Sequence, residues 1–69
     1  MNREPVTSSN LSSVGYDESS QTLEVEFKNG NIYQYFDVPS SEHIELMRSD
    51  SVGTYFSANI RTAYRYTRL

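Results

Sequence analysis

The sequence predicts an α+β domain: an antiparallel sheet of three strands, arranged as a meander with an Asn-Gly hairpin, then two short helices and a C-terminal tail that can add an edge strand. Three observations carry this reading. Leu23, Val25 and Phe27 alternate with Glu24, Glu26 and Lys28, the period of a strand with one buried face. Asn29-Gly30 follows directly, a dipeptide favoured in tight hairpins because the turn needs positive φ. Beyond Pro39 the apolar spacing lengthens from two residues to three or four, the repeat of a helix.

Residues 1–8 carry no periodic pattern and are expected to be flexible, and Ser8 to Ser13 reads as a polar stretch. Val14-Gly15-Tyr16 then begins a short first strand, which Asp17-Glu18-Ser19-Ser20 interrupts as a turn. Thr22 to Lys28 is the second strand and Ile32 to Val38 the third.

The register between these two strands depends on the loop. A two-residue turn, the favoured reading, sets Phe27 against Ile32, Val25 against Gln34 and Leu23 against Phe36, so that Ile32 and Phe36 enter the core. Tyr33 and Tyr35 then share the other face with Glu24 and Glu26. A three-residue loop with Gly30 in a bulge shifts the pairing by one and buries Tyr33 and Tyr35 with Leu23 and Val25 instead.

Pro39 ends the third strand, and Ser40 or Ser41 is placed to cap a helix with Glu42 in its positive first turn and with Ile44, Met47 and His43 toward the sheet. Ser49-Asp50-Ser51 breaks that helix. Asp50 or Ser51 caps a second one, through Val52, Phe56, Asn59, Ile60 and Ala63. Gly53 weakens this helix by about 1 kcal/mol relative to Ala, which calls for a packing reason. Tyr64 to Leu69 alternates again, as an edge strand would, and its arginines would discourage pairing with other chains.

The chain has 69 residues, room for a single domain. It has no cysteine, so neither a disulfide nor a thiolate metal site supports a core that supplies only roughly 3–5 kcal/mol at this size. Residues 1–10 lack the apolar run of a signal peptide and no stretch is apolar enough to span a bilayer, so the expected location is cytoplasmic, with no membrane association. Asn10-Leu11-Ser12 matches a glycosylation sequon, read as coincidence in that compartment.

A formal net charge of −3 argues against a protein that coats nucleic acid phosphates. The charge is unevenly spread: Arg3 and Lys28 stand against eight acids in residues 1–45, whereas Arg48, Arg61, Arg65 and Arg68 stand against Asp50 alone in residues 46–69. The C-terminal cluster reads either as a solvated face or as an anion-binding edge.

Most chemistries find no constellation here. His43 is the single histidine, and its neighbours Ser40 and Ser41 carry little weight in so serine-rich a chain, so a helix-surface or partly packed role is expected rather than catalysis. The residues provide no zinc spacing, calcium loop or glycine-rich phosphate loop; no metal or cofactor is expected, and no enzymatic activity. Glu24 and Glu26 have a spacing that serves acid–base work in larger enzymes, but here they read as groups solvating a half-buried sheet. What remains is aromatic and basic: Tyr33 and Tyr35 in the third strand, with Arg61, Tyr64, Arg65, Tyr66 and Arg68 toward the C-terminus. The tyrosines serve either as core area with a polar tip or as a platform for stacking bases beside phosphate-binding arginines.

The ordered set of Ser9-Asn10-Leu11, Val14-Gly15-Tyr16-Asp17, Leu23, Val25, Phe27, Gly30, Tyr33-Gln34-Tyr35-Phe36, Val38-Pro39, Ser51, Gly53, Tyr55-Phe56, Ile60, Tyr64 and Tyr66 resembles the KTSC domain. The resemblance covers nearly the whole chain, and the central Tyr33-x-Tyr35 is its most recognisable feature. KTSC domains occur alone in bacteria and at the C-terminus of some lysyl-tRNA synthetases; that attachment implies RNA binding only by association. A lysine common in the family between the serine and glycine matching Ser51 and Gly53 is replaced by Val52 here, which weakens the RNA reading, and no synthetase activity carries over.

The leading expectation is a noncatalytic module that recognises a protein or peptide partner through the tyrosine-bearing face or the C-terminal edge strand. The alternative is weak single-stranded RNA or tRNA binding, with Tyr33 and Tyr35 stacking bases and Arg61, Arg65 and Arg68 on phosphates. In the favoured register Glu24 and Glu26 lie on the tyrosine face and oppose RNA there. Exposed sheet edges leave both a monomer and a two-fold dimer open.

Overall fold

The computed structural model describes residues 1–69, with β1 (Arg3–Pro5), β2 (Leu11–Asp17), β3 (Thr22–Phe27), β4 (Ile32–Tyr35), α1 (Ser40–Arg48), α2 (Val52–Asn59) and β5 (Tyr66–Arg68) in chain order. The five strands form one antiparallel sheet in the order β1-β2-β3-β4-β5. The α+β class, the meander, the two helices and the C-terminal edge strand agree with the sequence reading; beyond the three expected strands and that edge strand, the sheet has one more, β1.

Residues 1–8, expected to be flexible, contain β1, which pairs Arg3 with Gly15 and Pro5 with Ser13. β2 starts earlier than Val14: Leu11 is fully buried opposite Phe27, and a register shift between Leu11 and Ser13 lets the polar serines bulge without breaking the strand. β4 ends at Tyr35 rather than Val38.

The β3–β4 register is the main correction. Leu23 pairs with Tyr35, Val25 with Tyr33 and Glu26 with Ile32, one residue away from the two-residue-turn pairing. The loop is Lys28-Asn29-Gly30: the Gly30 amide donates to the Phe27 carbonyl, the Phe27 amide donates to Asn31, and Gly30 has φ 92°. A turn closed by a glycine in this region adds one residue and inverts the facing of all of β4. Tyr35, 3% exposed, therefore enters the core and Tyr33 packs against its edge, while Ile32 and Phe36 are only partly buried.

Both helices pack on the face that carries Val14, Leu23, Val25 and Tyr35, and Leu46, Val52, Phe56 and Ile60 complete the core with Leu11 and Val38. Pro39, not a serine, occupies the N-cap of α1 and no side chain caps it; Ser40 is its first helical residue. The buried residue of α1 is Leu46, Met47 packs partly against the core, and Ile44, expected to face the sheet, is 49% exposed. His43 stacks on Tyr16 with ring centroids 4.6 Å apart, and burial pushes its imidazole pKa down, so it is a packed residue.

Ser51 caps α2, its hydroxyl accepting from the Thr54 amide at 3.3 Å. Asn59 and Ala63, placed on the inner face by spacing, are exposed, and Ala63 lies beyond the helix. Gly53 has the packing reason its position demands. A Cβ there would overlap Asn10 Oδ1 and lie 2.7 Å from Ser8 Oγ, because the turn leading into β2 lies directly against α2.

Candidate functional site

Alternation along β4 puts Tyr33 and Tyr35 on the helix-bearing face, and pairing with β5 adds Tyr66 beside Tyr35. The three rings form one cluster, with centroids 6.5 Å apart for Tyr33–Tyr35, 5.8 Å for Tyr33–Tyr66 and 5.6 Å for Tyr35–Tyr66. Phe27 meets Tyr33 edge-on at 5.5 Å. Beneath them the buried Phe56 of α2 contacts Phe27 at 5.7 Å and Tyr35 at 5.3 Å, also edge-on. Such pairs add about 0.5–1.5 kcal/mol each beyond their buried area, so the cluster is fixed by the core rather than free to rearrange.

After α2 the chain turns, with the Arg61 amide donating to the Phe56 carbonyl and the Ala63 amide to Ile60. This turn faces the tyrosine cluster across an open groove of about 630 Å³ lined by Phe27, Asn29, Asn31, Tyr33, Tyr35, Arg61, Thr62, Tyr64 and Tyr66. Glu42 of α1 anchors the turn, accepting from Tyr64 Oη at 2.9 Å and from Tyr55 Oη. The bond to Glu42 pushes the Tyr55 hydroxyl pKa up to about 12, so both phenols remain donors at neutral pH. Burial raises Tyr35, with the neighbouring tyrosines adding to it, while the positive charge of Arg61 pulls the other way.

Of the residues singled out in sequence, Tyr33, Tyr35, Arg61, Tyr64 and Tyr66 line one groove. Arg65 and Arg68 do not. Arg65 pairs with Asp37 at 3.0 Å and lies over the Phe36 ring, and Arg68 donates to Asn31 Oδ1 at 3.1 Å. Phe27, Asn29, Asn31 and Thr62 were missed as lining residues. Alternation places Phe27 in the core and the Asn-Gly signal places Asn29 in the turn, whereas the observed three-residue loop puts Phe27 beside Tyr33.

The opposite sheet face holds Glu24 and Glu26, away from the tyrosines, which overturns their expected common face. There the side chains form a ladder across four strands. Arg3 of β1 donates to Ser13 Oγ at 2.9 Å and pairs with Glu24, Ser13 donates to Glu26 at 2.9 Å, and Gln34 of β4 donates to Glu24 at 2.9 Å. Burial alone would raise the Glu24 carboxyl pKa, but the bonds from Gln34 and Arg3, together with the Arg3 charge, hold it below the usual carboxylate range. These acids are structural groups in a satisfied network, not loosely solvated ones.

Residues 7–64 match the KTSC domain. The chain belongs to the KTSC family. Over its full length it is 41% identical to an uncharacterised protein of Stutzerimonas stutzeri, of which it covers 99%. A KTSC domain protein from Yersinia pestis has a crystal structure that superposes with a TM-score of 0.93 at 35% identity, covering 99% of this chain and 96% of that one. A 54-residue stretch, 78% of the chain, is 39% identical to part of a lysine–tRNA ligase of Trichormus variabilis, and that match spans 10% of the ligase. No helix of this KTSC domain is long and apolar enough to cross a membrane.

Proposed function

We propose that this KTSC domain is a noncatalytic binding module, acting in the cytoplasm, that holds a short extended protein segment in the groove between β4–β5 and the turn after α2. The observation that carries the reading is the groove itself, lined by the rings of Phe27, Tyr33, Tyr35, Tyr64 and Tyr66 together with the polar side chains of Asn29, Asn31, Arg61 and Thr62, with no acid–base pair or metal-ligating cluster among them. Grooves walled by aromatic rings suit extended peptides, whose side chains lie between the rings while their backbone meets the polar groups. β5 adds an open strand edge beside the same groove.

The experiment is selection from a random-peptide display library on the wild-type domain, with Tyr66→Ala as the control. Tyr66 is 58% exposed, so the variant keeps the core. Recovered peptides should bind the wild type at least about tenfold more tightly than the variant, a loss on the scale of one interfacial hot spot. A library that enriches equally on both proteins would remove the groove from the proposal.

A second reading, single-stranded RNA or tRNA binding, gains from the register, since Glu24 and Glu26 no longer share the face of Tyr33 and Tyr35. It loses more. Tyr35, 3% exposed, has no free ring face for a base, and Arg65 and Arg68 are held by Asp37 and Asn31.

A further inference from the structure

The hydrogen-bonding capacity of the groove is lopsided. Asn29 Oδ1 already accepts from the Asn31 amide at 3.0 Å, and Asn31 Oδ1 from Arg68 at 3.1 Å, so each side chain has one acceptor site engaged and both N–H donors of its NH₂ group free for a ligand. Arg61, the only charged residue in the lining, is exposed and has no salt bridge. The groove lining contains no carboxylate. An unpaired guanidinium and two amides, beside the Tyr33 and Tyr66 phenols, which unlike Tyr64 donate to no side chain, are complementary to an anion. Because a single cation lines the groove, they suit one carboxylate rather than the repeated charge of a phosphodiester chain.

Resting on the peptide reading above, we infer that the groove selects an acidic segment: a Glu or Asp side chain of the partner pairs with Arg61, and an adjacent apolar side chain lies against Tyr33 and Tyr66. Arg61 can meet both carboxylate oxygens at once through its planar fork, and Tyr66 supplies an exposed ring at the groove mouth. The aromatic wall gives affinity to any extended segment, and Arg61 gives the preference for acid.

The test uses three end-blocked peptides, acetyl-Gly-Leu-Z-Leu-Gly-amide with Z as Glu, Gln or Lys, titrated into labelled wild-type domain and into Arg61→Gln while amide shifts are followed. Arg61 is exposed, with no side-chain partner, so the variant folds. The Glu peptide should move amides of residues 29–35 and 61–66 and bind the wild type roughly tenfold more tightly than the Gln peptide, a preference that Arg61→Gln abolishes. Equal binding of all three at the same amides overturns the carboxylate assignment and leaves the peptide groove standing. Binding of none overturns both. A single-stranded oligonucleotide that binds the groove more tightly than the Glu peptide overturns the acidic-segment assignment in favour of nucleic acid.

Discussion

Arg3 carries more of the fold than its position in a short terminal strand suggests. Its guanidinium is the charge partner of Glu24, whose residue is 6% exposed, and it also bonds Ser13, so it ties β1 to β2 and β3. Arg3→Met should cost about 1–3 kcal/mol, the penalty for leaving a buried carboxylate short of a donor, read as a lower urea midpoint at pH 7. The pH dependence follows from the same contact. With its folded pKa below its unfolded value, Glu24 contributes stability that is fully present above pH about 4.3 and is lost as pH falls through the folded value. Arg3→Met should flatten that acid limb, which urea midpoints from pH 7 to pH 3 would show. None of this was legible in the sequence. Arg3 and Glu24 lie on strands separated by β2, and only the pairing of Arg3 with Gly15 and of Gly15 with Glu24 aligns them.

The two helices differ in how they begin, and the difference is testable one hydroxyl at a time. Ser51 caps α2 by accepting from the Thr54 amide, whereas Ser40 caps nothing. Ser51→Ala should therefore cost about 1 kcal/mol and Ser40→Ala less than about 0.5 kcal/mol, compared by chemical denaturation of the two variants. The sequence named Ser51 correctly as one of two candidates, but Pro39, already compatible with the backbone before a helix, displaced the serine cap expected for α1. The hairpin shows the same limit at larger cost. Asn29-Gly30 announces a turn, yet a two-residue and a three-residue loop use the same dipeptide, and only the burial of Tyr35 against Phe56 separates them. That choice sent Phe36 away from the core and both tyrosines toward it. It also decided whether the candidate site existed at all.

Across the whole molecule, with a Cα radius of gyration of 10.6 Å, both helices cover one face of the sheet and Phe56 stands at the junction of core and groove. Phe56→Ala should remove about 3–5 kcal/mol, comparable with the entire stability of a domain this small. The expected result is collapse of amide dispersion at 25 °C, while Phe56→Leu stays folded. The α+β class, the meander and the edge strand were readable because alternation, turn residues and helical spacing are local patterns. The groove was not, because it joins β4, β5 and the turn after α2, which only the finished topology brings together. All ten core residues, Leu11 to Ile60, precede Arg61, whereas four of the nine groove-lining residues, Arg61, Thr62, Tyr64 and Tyr66, follow Ile60. Fold and the proposed selectivity thus draw largely on different residues of one short chain, with Tyr35 common to both. On the proposed reading, sequence drift at the exposed Arg61, Thr62 and Tyr66 would retune what the domain accepts while leaving its buried residues in place, and related domains would diverge in partner while keeping one architecture.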